Sequence, residues 1–102
     1  MMNALEIGYR NKTLEKECTD RKIAIQSHGT KMATKIFMRI NELRAADSVE
    51  SLIQNGIGRC HPLRGDRKGQ FAMDLVQPHR IVFEKKENTI KMVEITSIED
   101  YH

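Results

Sequence analysis

The sequence predicts an α+β fold in which N-terminal helices cover one face of a small antiparallel β-sheet. Apolar residues recur at the three- and four-residue spacing of helices up to about residue 54, and at the two-residue spacing of strands from residue 57 onward. Short turns separate the later strands, which implies antiparallel neighbours. With 102 residues and no internal repeat or linker, the chain is expected to form one domain, residues 1–102.

A short strand and a helical stretch are expected before residue 30. Residues 5–9 alternate between apolar and other side chains, as in a half-buried strand. Asn11 can cap the helix that follows. Thr19 and Asp20 favour caps over helix interiors, so a break into two shorter helices is expected there. Gly29 is free to take the left-handed conformation that ends a helix.

Two further helices are expected between residues 30 and 54. Thr30 is the expected cap of the clearest helix, whose apolar face comprises Ala33, Ile36, Phe37, Ile40 and Leu43. A basic stripe on its opposite face comprises Lys31, Lys35 and Arg39, and we interpret it as solvated surface. Asp47 and Glu50 have the spacing of a capping box for a short helix over residues 48–54.

Four strands are expected in the second half. Their ranges are 57–61, stopped by Pro62, then 70–76, 80–85 and 90–98. Alternation places Phe71, Met73, Leu75, Ile81 and Phe83 on the inner face. It places Gln70, Ala72, Asp74, Arg80, Val82 and Glu84 on the outer face.

The positive charge is concentrated around one loop. The net charge is +3, and residues 57–80 hold five basic and only two acidic side chains. This loop contains His61 and is hinged by glycines, so a polyanion would be attracted to it. A solvated loop has the same composition, and charge alone does not separate the two interpretations.

The remaining composition favours a reduced, metal-free protein. Cys18 and Cys60 fit no ligand spacing and are expected to be reduced thiols. The alternative is half a zinc site at Cys60-His61, completed by another histidine. No metal or cofactor is expected. The sequence has no apolar run long enough for a membrane span and no signal-peptide layout, so a cytoplasmic location is expected.

Three blocks carry a resemblance to a known family. They are residues 61–69 (HPLRGDRKG), residues 80–83 (RIVF) and residues 99–102 (EDYH). In this order and spacing they resemble the HigB branch of the RelE family, bacterial toxins of toxin–antitoxin pairs. The resemblance covers about the last two fifths of the chain. It implies the RelE-like fold, a small antiparallel β-sheet packed against N-terminal helices.

The resemblance also implies an activity and partners. HigB-type toxins are ribosome-dependent endoribonucleases that cut translated mRNA without a metal. The implied partners are a helix-turn-helix antitoxin of the HigA type, the 70S ribosome and mRNA, with operator DNA contacted only through the antitoxin. Under this interpretation the basic stripe on the long helix could instead touch ribosomal RNA.

The motif positions imply residue roles. The residues with implied catalytic roles are His61, Arg80, Asp100, Tyr101 and His102, and those expected to hold phosphate are Arg64, Arg67 and Lys68. Imidazoles titrate near neutrality and suit proton transfer, whereas guanidinium forks match phosphate oxygens. Two positions depart from the family: Arg64 replaces a common Lys, and His79 stands where relatives frequently carry an aromatic residue.

Other interpretations remain open. His61 could simply end a strand, Lys68 could be a solvated turn residue, and Arg80 could pair across the hairpin with Asp74 or Glu84. A toxin on the same fold could also lack nuclease activity, as in the ParE-like branch that poisons DNA gyrase. The terminal group 100–102 distinguishes the two classes, because a gyrase poison needs no acid–base set.

Overall fold

The computed structural model describes residues 5–86 and 92–100. Its strands are β1 Glu6–Tyr9, β2 His61–Pro62, β3 Gln70–Asp74, β4 His79–Lys85 and β5 Met92–Asp100. Its helices are α1 Lys12–Thr19, α2 Arg21–His28, α3 Thr30–Ala45 and α4 Val49–Gln54. The expected α+β class, with the helices preceding most of the sheet, is confirmed.

The five strands form one sheet in the order β1-β5-β4-β3-β2. Strands β2 to β5 are antiparallel neighbours, as expected. Strand β1 runs parallel to β5, with Glu6 opposite Met92 and Tyr9 opposite Ile95. The sheet is therefore antiparallel except at this edge. The helices α1 to α4 and the intervening strands separate β1 from β5 in sequence, which is the long connection that parallel pairing needs.

The core lies between the helices and one face of the sheet, here called the inner face. Its largest fully buried side chains include Phe83, Met73, Ile81 and Ile95 from strands, together with Ile36 and Leu43 from α3. The rings of Phe71 and Phe83 stack across β3 and β4 with centroids 5.7 Å apart. Among the described residues, no helix has the length and apolar character that crossing a bilayer requires.

The helix caps agree with the sequence at some positions and correct it at others. Asn11 Oδ1 accepts the Leu14 N–H at 2.8 Å, and Asp20 caps α2, so the expected break between two helices is confirmed. The N-cap of α3 is Gly29, with φ 85° and ψ 165°, rather than Thr30, which is the first helical residue. Gly29 thus has the positive φ that glycine permits, but not the left-handed helical conformation.

Two expectations near residue 50–60 were wrong. Ser48, and not Asp47, caps α4, because its hydroxyl accepts the Ser51 N–H at 3.1 Å. The expected strand over residues 57–61 is a 3₁₀ turn, Ile57–Arg59, because Gly58 and Arg59 have positive φ values of 58° and 52°. Regular strand pairing needs negative φ, so β2 begins only at His61. It also includes Pro62, which an edge strand tolerates.

The basic stripe of α3 is not uniformly solvated. The Arg39 side chain is only 11% exposed, and its Nε donates to the Asp74 carbonyl oxygen at 2.6 Å. A Cβ at Gly58 would lie 2.8 Å from the same Nε, so this close approach needs glycine. Arg39 therefore ties α3 to the end of β3 and the turn before His61.

Candidate nucleic-acid interface

The sheet face opposite the helices, here called the outer face, carries several of the predicted site residues. Register places one row of residues side by side across four strands: His61, Ala72, Val82 and Ser97. The next row comprises Asp74, Arg80 and Glu99. Ala72 and Val82 were expected to face outward, and by register they do, yet both are fully buried. Something other than the helices must cover them.

The polar centre of the outer face is the Glu99 carboxylate. Oε1 accepts from Arg67 Nη1 at 2.5 Å and from Arg80 Nη2 and Nε at 2.9 and 3.1 Å. Oε2 accepts from Arg67 Nη2 at 3.0 Å and from the Ser97 hydroxyl at 2.9 Å. We call Arg67, Arg80, Ser97 and Glu99 the Glu99 cluster. With two arginines and one glutamate, it carries a net positive charge.

The cluster holds Glu99 in its ionised form. The hydrogen bond from Arg67 lowers the pKa of Glu99 to about 2, with help from Arg80 and Ser97 and against the opposing effect of burial. The same hydrogen bond raises the pKa of Arg67. A carboxylate with so low a pKa is a poor proton acceptor near neutrality, since proton transfer is most efficient when the pKa is near the working pH. Glu99 therefore acts here as a fixed negative charge.

Arg67 extends from the loop across the outer face. Its Nε donates to Gln70 Oε1 at 2.7 Å while its other nitrogens hold Glu99. Gln70 and Glu99 lie on opposite sides of the row that contains Ala72 and Val82. The Arg67 side chain therefore crosses this row, which accounts for the burial of the two apolar residues.

His61 is held in one tautomer. Its Nδ1 lies 2.7 Å from the Arg59 carbonyl oxygen, which can only accept, so Nδ1 carries the proton. In the neutral ring Nε2 is then the proton acceptor. Arg59 presents this carbonyl with a φ of 52°, and its Nε donates to Asp74 Oδ2 at 2.6 Å. Asp74 thus supports the turn that orients His61.

The other basic loop residues remain at the surface. Arg64 and Lys68 flank the 3₁₀ turn Gly65–Arg67 and are exposed. Lys68 lines a cleft of about 530 Å³ together with Gln70 and Glu84. Because Gln70 bonds both Arg67 and Glu84, this cleft adjoins the Glu99 cluster. The loop therefore offers further positive charge next to the cluster.

The predicted acid–base group is only partly described. Asp100 is exposed and lies opposite His79, and alternation along β5 puts it on the other face from Glu99. Three strand spacings, about 14 Å, also separate β5 from β2. The structure thus does not bring Asp100 beside His61. Tyr101 and His102 lie outside the described residues.

Glu99 is the functional candidate that the sequence interpretation missed. The expected partners of Arg80 were Asp74 and Glu84, whereas the described hydrogen bonds of its guanidinium go to Glu99. The pairing depends on the register of β4 with β5, which contains an irregularity at Val82/Phe83. Alternation from the buried Val93 and Ile95 would place Glu99 inward, and the irregularity turns it outward and opposite Arg80.

The described residues give no basis for the zinc alternative. Cys60 is buried, and burial raises the pKa of its thiol to about 11, which disfavours the thiolate that binds metal. In residues 5–86 and 92–100, no three His, Cys, Asp or Glu side chains are grouped so as to hold a metal ion.

Solved structures share this fold. The chain is similar to the YoeB/ParE toxin from Agrobacterium tumefaciens, with 17% identity and a TM-score of 0.65 over 96% of this chain and 100% of the other. It is similar to the YoeB dimer from Staphylococcus aureus, with 26% identity and a TM-score of 0.55 over 97% and 98%. It is also similar to a chain of the heterotetrameric YoeB-YefM toxin-antitoxin complex from the same organism, with 27% identity and a TM-score of 0.53 over 96% and 97%. No protein-family model and no curated protein matches the sequence. The expected RelE-like fold is thereby confirmed, in the form seen in YoeB/ParE toxins.

Proposed function

We propose that this chain is the toxin of a type II toxin–antitoxin pair and acts as a ribosome-dependent, metal-independent endoribonuclease on translated mRNA. The observation that carries the proposal is the outer face itself. A histidine in a fixed tautomer shares this face with two arginines gathered around one carboxylate. The similarity to YoeB toxins supports the same class, and the terminal motif favours the HigB branch within it.

The chemistry follows from the side chains. Metal-free RNA cleavage needs a base for the ribose 2′-hydroxyl, an acid for the leaving 5′-oxygen, and cations for the charge on the transition state. His61 Nε2 is the proposed base. Arg67 is the proposed phosphate contact and Arg80 the proposed cation for the transition-state charge, with Arg64 and Lys68 drawing the RNA backbone toward the loop. Glu99 cannot replace His61 as base, since its pKa lies too low.

The acid and stacking roles are proposed for the end of the sequence. Tyr101 is suited to stack on a base, and His102 to protonate the leaving oxygen. Asp100 lies on the inner side of β5 by alternation, so its proposed role is electrostatic and not direct contact with His61. The proposed partners are the 70S ribosome, mRNA and an antitoxin of the HigA-like helix-turn-helix type. Contact with operator DNA is proposed only through that antitoxin. The YoeB-YefM complex supports an antitoxin partner.

The test is cleavage of a defined mRNA by the purified protein with and without ribosomes. We expect cuts only when ribosomes are present, and a loss of about 10²–10⁴ in rate for His61→Gln. His79→Gln is the matched control, because His79 starts β4 on the opposite face by register. Translation arrest without cleavage by the wild-type protein would contradict the proposal.

The alternative is a gyrase poison of the ParE-like class, because the fold is also similar to a protein described as a YoeB/ParE toxin. Supercoiling by purified DNA gyrase distinguishes the two. Inhibition of gyrase that survives His61→Gln, with intact mRNA on ribosomes, would favour the ParE-like class.

A further inference from the structure

The Arg67 guanidinium is bound by a carboxylate of the protein itself, that of Glu99. Its fork meets both oxygens of Glu99 in the bidentate geometry with which arginine also holds phosphate. The Glu99 carboxylate therefore occupies the position on Arg67 that a phosphodiester would take. Arg80 contacts only Oε1 of the same carboxylate in the described hydrogen bonds, and its side chain is the more buried of the two, at 15% exposed against 37%.

Resting on the function proposed above, we propose that Glu99 competes with the RNA phosphate for Arg67 and thereby holds Arg67 as a cover over Ala72 and Val82 until RNA binds. On binding, Arg67 exchanges the carboxylate for a phosphate and lifts from the sheet, while Arg80 keeps Glu99. The segment that carries Arg67 and would move is flanked by two glycines with positive φ, Gly65 at 65° and Gly69 at 96°.

The exchange would open a surface next to His61. Ala72 pairs with His61 across β2 and β3, and Val82 follows in the same row. Both are fully buried in the row that the Arg67 side chain crosses, so its departure would expose a small apolar strip beside the imidazole. Such a strip suits the face of a base or the C–H groups of a ribose, because these surfaces form no hydrogen bonds of their own. The ligand class is thus single-stranded RNA, held by one backbone phosphate with a sugar or base on the strip.

The charge balance of the Glu99 cluster favours the exchange, but it predicts only a modest change in RNA affinity when Glu99 is removed. The Glu99 cluster has two guanidinium groups for one carboxylate, so a phosphodiester brings it to neutrality. Arg67 is partly exposed, and solvent-exposed ion pairs are weak. Removing the competitor should therefore strengthen RNA binding by about fivefold.

The experiment measures fluorescence anisotropy of an uncleavable 2′-O-methyl oligoribonucleotide without ribosomes. Glu99→Gln is expected to bind about fivefold more tightly than the wild-type protein. Glu99→Asp retains the net charge but shortens the side chain by one methylene, and is expected to give a smaller gain in the same direction. It also covers the case in which Glu99→Gln does not fold.

Two controls separate the competition from a general loss of negative charge. Glu94→Gln removes a carboxylate from the same strand that pairs with Arg10 rather than Arg67, so its gain should be smaller. When Arg67 is replaced by Ala, adding Glu99→Gln should increase RNA affinity no more than adding Glu94→Gln does. An equal gain for Glu99→Gln and Glu94→Gln, a gain that persists without Arg67, or no measurable binding by any variant would overturn the inference.

The assay contains no ribosomes and reads no cleavage, so it is independent of the test of the nuclease. Tighter binding by Glu99→Gln with no cleavage by the wild-type protein would support the competition and contradict the nuclease. Normal cleavage by the wild-type protein with unchanged RNA binding by Glu99→Gln would support the nuclease and contradict the competition.

Discussion

Replacing Glu99 by Gln should destabilise the fold at neutral pH and have much less effect in acid. The folded-state pKa of Glu99 is about 2, below the ordinary value of 4.5 for an unfolded glutamate. A group with a depressed folded pKa stabilises the protein above its unfolded pKa and loses that contribution as the pH falls toward the folded value. The window of the effect therefore lies between about pH 4.5 and pH 2.

The expected loss of stability follows from the difference between the folded and unfolded pKa of Glu99. About 2.5 pKa units would correspond to about 3.4 kcal/mol at 1.36 kcal/mol per unit. A quarter of the Glu99 side chain is exposed, and solvent screens its ion pairs. We therefore expect about 1–2 kcal/mol at pH 7. Less than half of this should remain at about pH 3, where unfolded glutamates are largely protonated.

Urea denaturation of the wild-type protein and the Glu99→Gln variant at pH 7, 5, 4 and 3 measures this difference. Glu94→Gln, on the same strand, is the control and should cost less, because its carboxylate has Arg10 at 3.1 Å and Lys86 only at 3.9 Å. A Glu99→Gln cost that is the same at pH 3 as at pH 7 would refute the ion-pair explanation. If Glu99→Gln destabilised the protein less than Glu94→Gln at pH 7, the ion-pair explanation would also be refuted.

Three further outcomes are expected. The double substitution of Arg64 and Lys68 by Ala should change the free energy of unfolding in urea by no more than about 0.5 kcal/mol, since both side chains are exposed. RNA affinity should fall and depend less steeply on salt, and unchanged affinity would mean that the loop is only solvated. Deleting Tyr101 and His102 should reduce ribosome-dependent cleavage by about 10²–10⁴ without loss of folding by circular dichroism, and a truncated protein that still cuts would end their proposed roles. Phe83→Ala should cost about 3–5 kcal/mol in urea denaturation because its ring is fully buried; a cost near 1 kcal/mol would mean that the core collapses around the cavity.

Most of the fold could be predicted because its signals are local. The helix break at Asp20 and the antiparallel order of β3, β4 and β5 follow from caps, periodicity and short turns. The parallel pairing of β1 with β5 could not be predicted in this way. Alternation of apolar residues specifies which side of a strand is buried, but it carries no information about which strand lies beside it or in which direction.

The residues 57–61 show a second limit of local patterns. Ile57 and Cys60 looked like members of a strand, but Gly58 is placed against Arg39 of α3, and the chain there adopts positive φ. This conformation is set by a contact between residues nineteen positions apart, which periodicity does not reveal. The carbonyl that orients His61 is a product of the same turn.

The arrangement of the candidate site residues could not be predicted from the sequence. Register puts His61 and Arg80 on one face, and Arg67 reaches the same face from the loop through its hydrogen bonds to Glu99. Asp100 does not join them, since its neighbour Glu99 takes the outward position. One residue of register decides which carboxylate faces the arginines, and that register could not be read from the sequence.

The pairing of β1 with β5 has a consequence for how the protein is made. A chain emerges from the ribosome from its N-terminus, and β1 has no partner in the sheet until residues 92–95 have been synthesised. The β4–β5 pairing that brings Glu99 to Arg80 likewise waits for residue 99. Contacts between such distant parts of a chain form slowly, because a long loop must first close. A nascent chain therefore has helices long before its sheet is complete, and a protein with the proposed activity would remain inert during most of its own translation.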